Sequence, residues 1–238
     1  MRLSGRNVVV AGAGPGLGSA VARRALEEGA QVYAVARRRE HLEPLAALGI
    51  RTGAFDLSKP EGAAAAAEAA ERELGRVDGL AITAGGWAPG RLEETEEEVL
   101  DFMLSVNLRA HLWTVKSFLK LMRPGSAVVL VTSIWGPIKR SPGALAYTVS
   151  KAAAAALVET LAAELLDRGV RVNGVAPGAM SKEADGAMSK EAEAAKLGAP
   201  ATPPEYVADV VLWLLTDEAR WVTGALIPVD GGRRLITP

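Results

Sequence analysis

The 238-residue chain predicts an α/β protein, a doubly wound parallel sheet of about seven strands in one domain over 1–238. Three observations carry this. Short β-branched runs alternate with longer helical stretches along the chain. Several of the runs are almost wholly apolar, as strands covered on both faces are. A glycine-rich segment follows the first run and opens a helix. The alternation implies right-handed crossovers, and no linker splits the chain.

The first strand is expected at 7–11, where Arg6 gives way to Val8-Val9-Val10 and then to glycines. That pattern reads as a buried strand, not a signal peptide. The next helix ends near Gly29, in the place of a left-handed C-cap. Strands follow at 31–36 and 51–55. Ser58-Lys59-Pro60-Glu61 matches a capping box and opens a helix with an alanine run at 63–67, closed by Gly75. A strand at 80–83 precedes a second capping-box match, Thr95-Glu96-Glu97-Glu98, in an acidic run suited to a helix start. Pro124-Gly125 turns into a strand at 127–132. Tyr147 opens a helix running to about Arg168, with a second alanine run at 152–156 and Gly169 beyond. Helix propensity accounts for both alanine runs, and small side chains allow close packing. The last strands are expected at 170–175 and 226–229. Between them 179–184 is repeated at 187–192, and 179–197 reads as one or two mobile surface helices.

Charge excludes some functions. Lys and Arg total 27 against 28 Asp and Glu, a net charge of −1. That argues against general binding to nucleic acid or anionic membrane. Cys is absent, so there is no disulfide framework or thiolate site. With two His, no metal site is expected. No apolar run reaches membrane-spanning length, and the expected compartment is the cytoplasm.

The segment Gly12-Ala13-Gly14-Pro15-Gly16-Leu17-Gly18 lets backbone approach a pyrophosphate, with a helix N-terminus behind it. Asp56-Leu57 and Ala84-Gly85 end the third and fourth strands, where an open sheet meets a nucleotide. Asp56 serves equally well as the start of the Ser58 turn. No carboxylate ends the second strand. Arg37 and Arg38 follow Ala36 there, and Arg suits a ribose 2′-phosphate. The expected cofactor is therefore NADP(H) rather than NAD(H).

Tyr147 and Lys151, four apart, share one helix face. An ammonium beside a phenol favours the phenolate, and a phenol so tuned is an acid–base at neutral pH. Ser133 lies just past the fifth strand. Asn107 sits mid-helix, a poor place for Asn unless a hydrogen bond retains it.

With these residues in order, the chain resembles the single-domain short-chain dehydrogenases/reductases over essentially its whole length. The resemblance rests on Gly12, Gly16 and Gly18, Asp56, Ala84-Gly85, Asn107, Ser133, Tyr147 with Lys151, Asn173, Pro177-Gly178 and Asp230-Gly231-Gly232. It implies a Rossmann-type sheet and hydride transfer between a nicotinamide and a carbonyl or alcohol carbon. By the resemblance, Tyr147 is the acid–base. Lys151 lowers its pKa and binds the nicotinamide ribose, Ser133 holds the substrate oxygen, and Asn107 holds a relay water. The backbone after Pro177-Gly178 meets the carboxamide, and a substrate lid falls at about 179–200. The resemblance also implies a homotetramer, built with the apolar C-terminal segment and the helices carrying Asn107 and Tyr147.

The chain departs from the family at Ala11, where Thr is usual, and at Ile82-Thr83, where two Asn are usual. Pro15 stands where many NADP-dependent relatives carry a basic residue. Ser133 and Tyr147 are one residue further apart than in many relatives, which makes Thr132 the alternative hydroxyl. Trp87, Trp135 and Met180, with Met188, are expected to line a pocket for a partly apolar carbonyl compound. His41 and His111 need no function: His41 reads as a surface residue, and His111 as packed or solvent-facing. The activities in view are 3-oxoacyl-carrier-protein reduction and sugar or polyol oxidation. Enoyl reductases place Lys seven after Tyr, where Ala154 stands. The alternative from another class is a catalytically silent NADP-binding sensor or scaffold.

Overall fold

The computed structural model describes residues 1–180 and 195–236. Seven strands, β1 (Asn7–Ala11), β2 (Gln31–Ala36), β3 (Arg51–Ala54), β4 (Gly79–Ile82), β5 (Ala127–Val131), β6 (Arg171–Pro177) and β7 (Leu226–Val229), form one sheet. Every pairing is parallel, in the order β3-β2-β1-β4-β5-β6-β7. The order reverses between β1 and β4, so connections leave these neighbours in opposite directions and open a crevice at their C-terminal ends.

Apolar strands follow from helices on both faces. Val8 and Val10 of β1 enter one core layer with α1 (Leu17–Glu27) and α7 (Pro204–Leu215). Val9 and Ala11 enter the other, under α3 (Pro60–Leu74), α5 (Ala110–Phe118) and α6 (Leu145–Glu164). The first alanine run acts in packing: its Ala63, Ala66 and Ala67, with Ala70 one turn on, are wholly buried, letting α3 lie close to α5. The short α2 (Glu43–Ala46), α4 (Glu97–Leu104) and the terminal α8 (Arg233–Ile236) complete the described helices.

Gly29, Gly75 and Gly169 have φ of 89°, 74° and 65°, the left-handed stops their positions predict. Neither capping box forms. The Ser58 hydroxyl donates to Asp56 Oδ1 (2.7 Å), and Lys59 is the N-cap ahead of Pro60. The Thr95 hydroxyl donates to the Arg91 carbonyl (2.7 Å), and Glu96 is the N-cap of α4. In both, the helix begins one residue later than the box requires, at Pro60 and at Glu97, which leaves the hydroxyl outside the N-cap position. β6 runs two residues past the expected end, to Pro177, which pairs with Val229. α6 stops at Glu164, and a 3₁₀ turn over Leu166–Arg168 takes up the rest. The second repeat copy with Met188, and most of the expected lid at 179–200, lie outside the described residues.

Candidate active site

A cavity of about 610 Å³ opens over the C-terminal ends of the central strands, where the order reverses. Gly12 and Gly18 close its glycine loop. A Cβ on Gly12, at φ 109°, would lie 2.2 Å from the Ala84 nitrogen, and one on Gly18 would lie 2.2 Å from the Gly12 carbonyl. Gly14 and Gly16 have room: Gly16 has nothing within 4 Å of such a position, and φ there is 89°. α1 starts from Gly16 with no side-chain cap; the Ser19 N–H donates to the Gly14 carbonyl (3.0 Å), and Leu17 at the helix start lines the cleft. Where the family has Asn, Thr83 braces the loop, donating to the Gly12 carbonyl (3.0 Å).

Arg37 and Arg38 line the cavity, as do Asp56 and Leu57. One carboxylate oxygen of Asp56 holds the turn, accepting from the Ser58 N–H (3.0 Å) and hydroxyl. Those bonds and Arg37 hold the carboxyl below its ordinary range, although burial alone would raise it.

Asn107 lies in a π-turn, Ser105–Arg109, between α4 and α5. The wider turn re-aims a buried side chain. Its Oδ1 accepts from Gly86 N–H (3.0 Å), and Nδ2 donates to the Gly86 carbonyl (3.0 Å) and Ser150 Oγ (3.1 Å). That is the hydrogen bonding that keeps Asn in a helical run.

Tyr147, in the first turn of α6, and Ser133, past β5, meet in the cleft and share a hydrogen bond. Thr132 is committed elsewhere, donating to the Val175 carbonyl (3.1 Å). Burial pushes the Tyr147 phenol above its ordinary value, and the Ser133 bond offsets this only in part. This differs from the downward shift expected from Lys151, because the buried Lys151 ammonium donates to the Val131 carbonyl (3.2 Å). Burial takes Lys151 down to about 8.

Pro177, Gly178, Ala84, Gly85, Trp87 and Met180 also line the cleft, with Trp87 65% exposed at its rim. Trp135 does not. It lies by a separate cavity of about 190 Å³, with the Lys139 ammonium 5.8 Å from its ring centre. The Trp135 N–H donates to Ser133 Oγ (3.1 Å), a tight turn that carries the ring away from the cleft.

Four lining or supporting residues escape sequence reasoning. Phe102 and Val106, four apart, form an apolar wall. His41 lines the cleft, its Nδ1 3.7 Å from where a Cβ on Gly14 would stand. His111 is wholly buried and donates from Nε2 to the Ala84 carbonyl (2.9 Å); its Nδ1 has no partner. Burial first, then the Lys151 charge, take His111 down to about 3. Its spacing of four from Asn107 was the signal available.

The cleft fits a dinucleotide. Gly14 and Leu17 line it at the start of the uncapped α1, open space adjoins Gly16, and the buried Lys151 ammonium meets the Val131 carbonyl. Residues 12–234 match the family model described as enoyl-(acyl carrier protein) reductase. Dehydrogenase/reductase SDR family member 6 of Danio rerio is 32% identical, covering 98% of this chain and 99% of that protein. A 3-oxoacyl-[acyl-carrier-protein] reductase of Thermotoga maritima is 33% identical over the same shares. A short-chain dehydrogenase/reductase structure from Serratia marcescens superposes with a TM-score of 0.88 at 26% identity, covering 98% of this chain and 99% of that one. A crevice so built, in a chain matched end to end by such relatives, makes this protein an oxidoreductase of the short-chain dehydrogenase/reductase family.

Proposed function

We propose that the chain is an NADP(H)-dependent enzyme that interconverts a carbonyl and an alcohol. The observation that carries this is the meeting of Tyr147, Ser133 and Lys151 in the cleft that the glycine loop closes. The family takes NAD(P), and the bound nicotinamide supplies or accepts the hydride. Gly14, Gly16 and the start of α1 hold the pyrophosphate, and Asp56, Leu57, Ala84 and Gly85 border the adenosine. Arg37 and Arg38 favour a 2′-phosphate. Pro177 and Gly178 border the carboxamide.

In reduction, Tyr147 delivers a proton from Oη to the substrate oxygen, which the Ser133 hydroxyl holds. A phenol held neutral by burial suits the donor's role. The Lys151 ammonium binds the ribose and, with the substrate in place, stabilises the phenolate left behind. Asn107, anchored on Gly86 and Ser150, keeps the neighbouring helix turn in register and holds the relay water. Trp87, Phe102, Val106 and Met180 offer an apolar wall to a partly apolar substrate. A 3-oxoacyl thioester or a keto sugar is the substrate class we favour, the former being the named substrate type of the Thermotoga relative.

We also propose a homotetramer. Leu100 on α4, Leu145 and Val149 on α6, and Trp221, which is 97% exposed, are the apolar residues it would cover. A monomeric mass by light scattering at micromolar protein refutes this. Among the described residues no helix is long and apolar enough to cross a membrane, and we place the enzyme in the cytoplasm.

The test follows NADPH oxidation over a carbonyl panel, with Tyr147→Phe beside the wild type. Loss of about 10²–10⁴-fold in turnover, with NADPH still bound, is the expected result for a missing acid–base. NADPH binding with no turnover that depends on Tyr147 supports the silent sensor instead.

A further inference from the structure

We infer that His41 is a specificity residue for the cofactor, an imidazole that adds a third, pH-dependent positive charge at the 2′-phosphate. The inference rests on the NADP(H) reading above. His41 closes a 3₁₀ turn, Arg39–His41, five residues after β2. From there its ring crosses to the glycine loop, with Nδ1 3.7 Å from the position a Cβ on Gly14 would take. It lines the same cleft as Arg37, Arg38 and Ser58.

The glycine loop itself brings no charge there. Pro15 has neither a cationic side chain nor an N–H. The segment that carries the two arginines therefore also brings to the glycine loop a ring that can carry two N–H donors when protonated. Charged groups stand on each neighbouring segment, Glu43 on α2 among them. Arg37 and Arg38 precede it, Arg39 and Glu40 share its turn, and Asp56 stands on the segment after β3 and feels Arg37. Imidazole changes charge between pH 5 and 8. A dianionic phosphate between two guanidiniums and this ring draws the proton on, so binding NADP tightens as pH falls. NAD, which offers a hydroxyl there, gains nothing from that charge.

The experiment is calorimetric titration with NADP⁺ and NAD⁺ from pH 5.5 to 8.5, on wild type and His41→Gln. A 2′-phosphate has its own proton equilibrium near pH 6, but it is common to both proteins, so their difference isolates the ring. We expect wild type to hold NADP⁺ about tenfold more tightly than His41→Gln at pH 6, and the gap to shrink to about twofold at pH 8.5. NAD⁺ affinity should be equal in the two proteins at every pH. An NADP⁺ gap that is absent, or that does not change with pH, overturns the role of His41 and leaves the NADP(H) reading intact. Equal affinity of wild type for NADP⁺ and NAD⁺ overturns that reading, and this inference with it.

Discussion

Replacing His111 by Gln should remove an acid sensitivity that the fold carries in its core. The imidazole is wholly buried, its Nε2–H is spent on the Ala84 carbonyl, and Nδ1 faces no acceptor. A proton on Nδ1 would be both unpaired and close to the Lys151 ammonium, which is why the group titrates at about 3 instead of 6.5. The unfolded chain takes up that proton below about pH 6.5, while the folded one refuses it until about pH 3. Stability is therefore undiminished above 6.5 and falls as pH drops through this window. At pH 5 the loss is about 2 kcal/mol, from about 1.5 pH units at 1.36 kcal/mol each. Gln keeps an amide donor for Ala84 and has no such titration. Urea unfolding at fixed protein concentration, followed by tryptophan fluorescence at pH 7.5 and 5, measures both proteins. The stability difference between wild type and His111→Gln should shift by about 2 kcal/mol in favour of the variant on going to pH 5. An equal difference at both pH values would show that the imidazole is protonated in the fold, and would refute the reasoning.

The lowered Lys151 gives a second pH signature. Its charge is present below about 8 and lost above, so turnover should fall as pH rises through that value. Lys151→Arg stays charged throughout, and its residual turnover should be flat from about pH 7 to 9.5; a matching fall in the variant assigns the titration to another group. Gly12→Ala should cost more than about 4 kcal/mol, because the new methyl meets the Ala84 backbone. Gly49→Ala, with φ 82° and open space around it, should cost only the left-handed penalty of about 1–2 kcal/mol. Thermal melts compare the two, and similar shifts in Tm would show that the loop gives way at Gly12.

The architecture was legible because its signals are local and redundant. β1, β2 and β7 fall where their apolar runs end, and the glycine stops follow from φ alone. β6 extends two residues past its β-branched run because Pro177 needs only its carbonyl there, to receive the Ile134 N–H (2.9 Å). The capping motifs fail because each helix starts one residue later than the motif implies, with Lys59 and Glu96 as the N-caps. At the site, residue types in order sufficed to collect Tyr147, Ser133 and Lys151. Trp135 was placed in the cleft by its two-residue distance from Ser133, and the turn between them reverses the ring's direction. His41 and His111 were illegible for a different reason. Each depends on a partner far along the chain, Gly14 for one and Ala84 for the other.

Those partners bear on a liability of every parallel sheet. Its C-terminal edge ends in carbonyl oxygens, a fringe of negative partial charge along the rim where a phosphate-bearing ligand must rest. Here three of its central carbonyls are covered. Thr83 donates to the carbonyl of Gly12 just past β1, His111 to that of Ala84 just past β4, and Lys151 to that of Val131 at the end of β5. These three donors, two of them on helices, thus turn a repulsive margin into one tolerant of anions, before any arginine is counted.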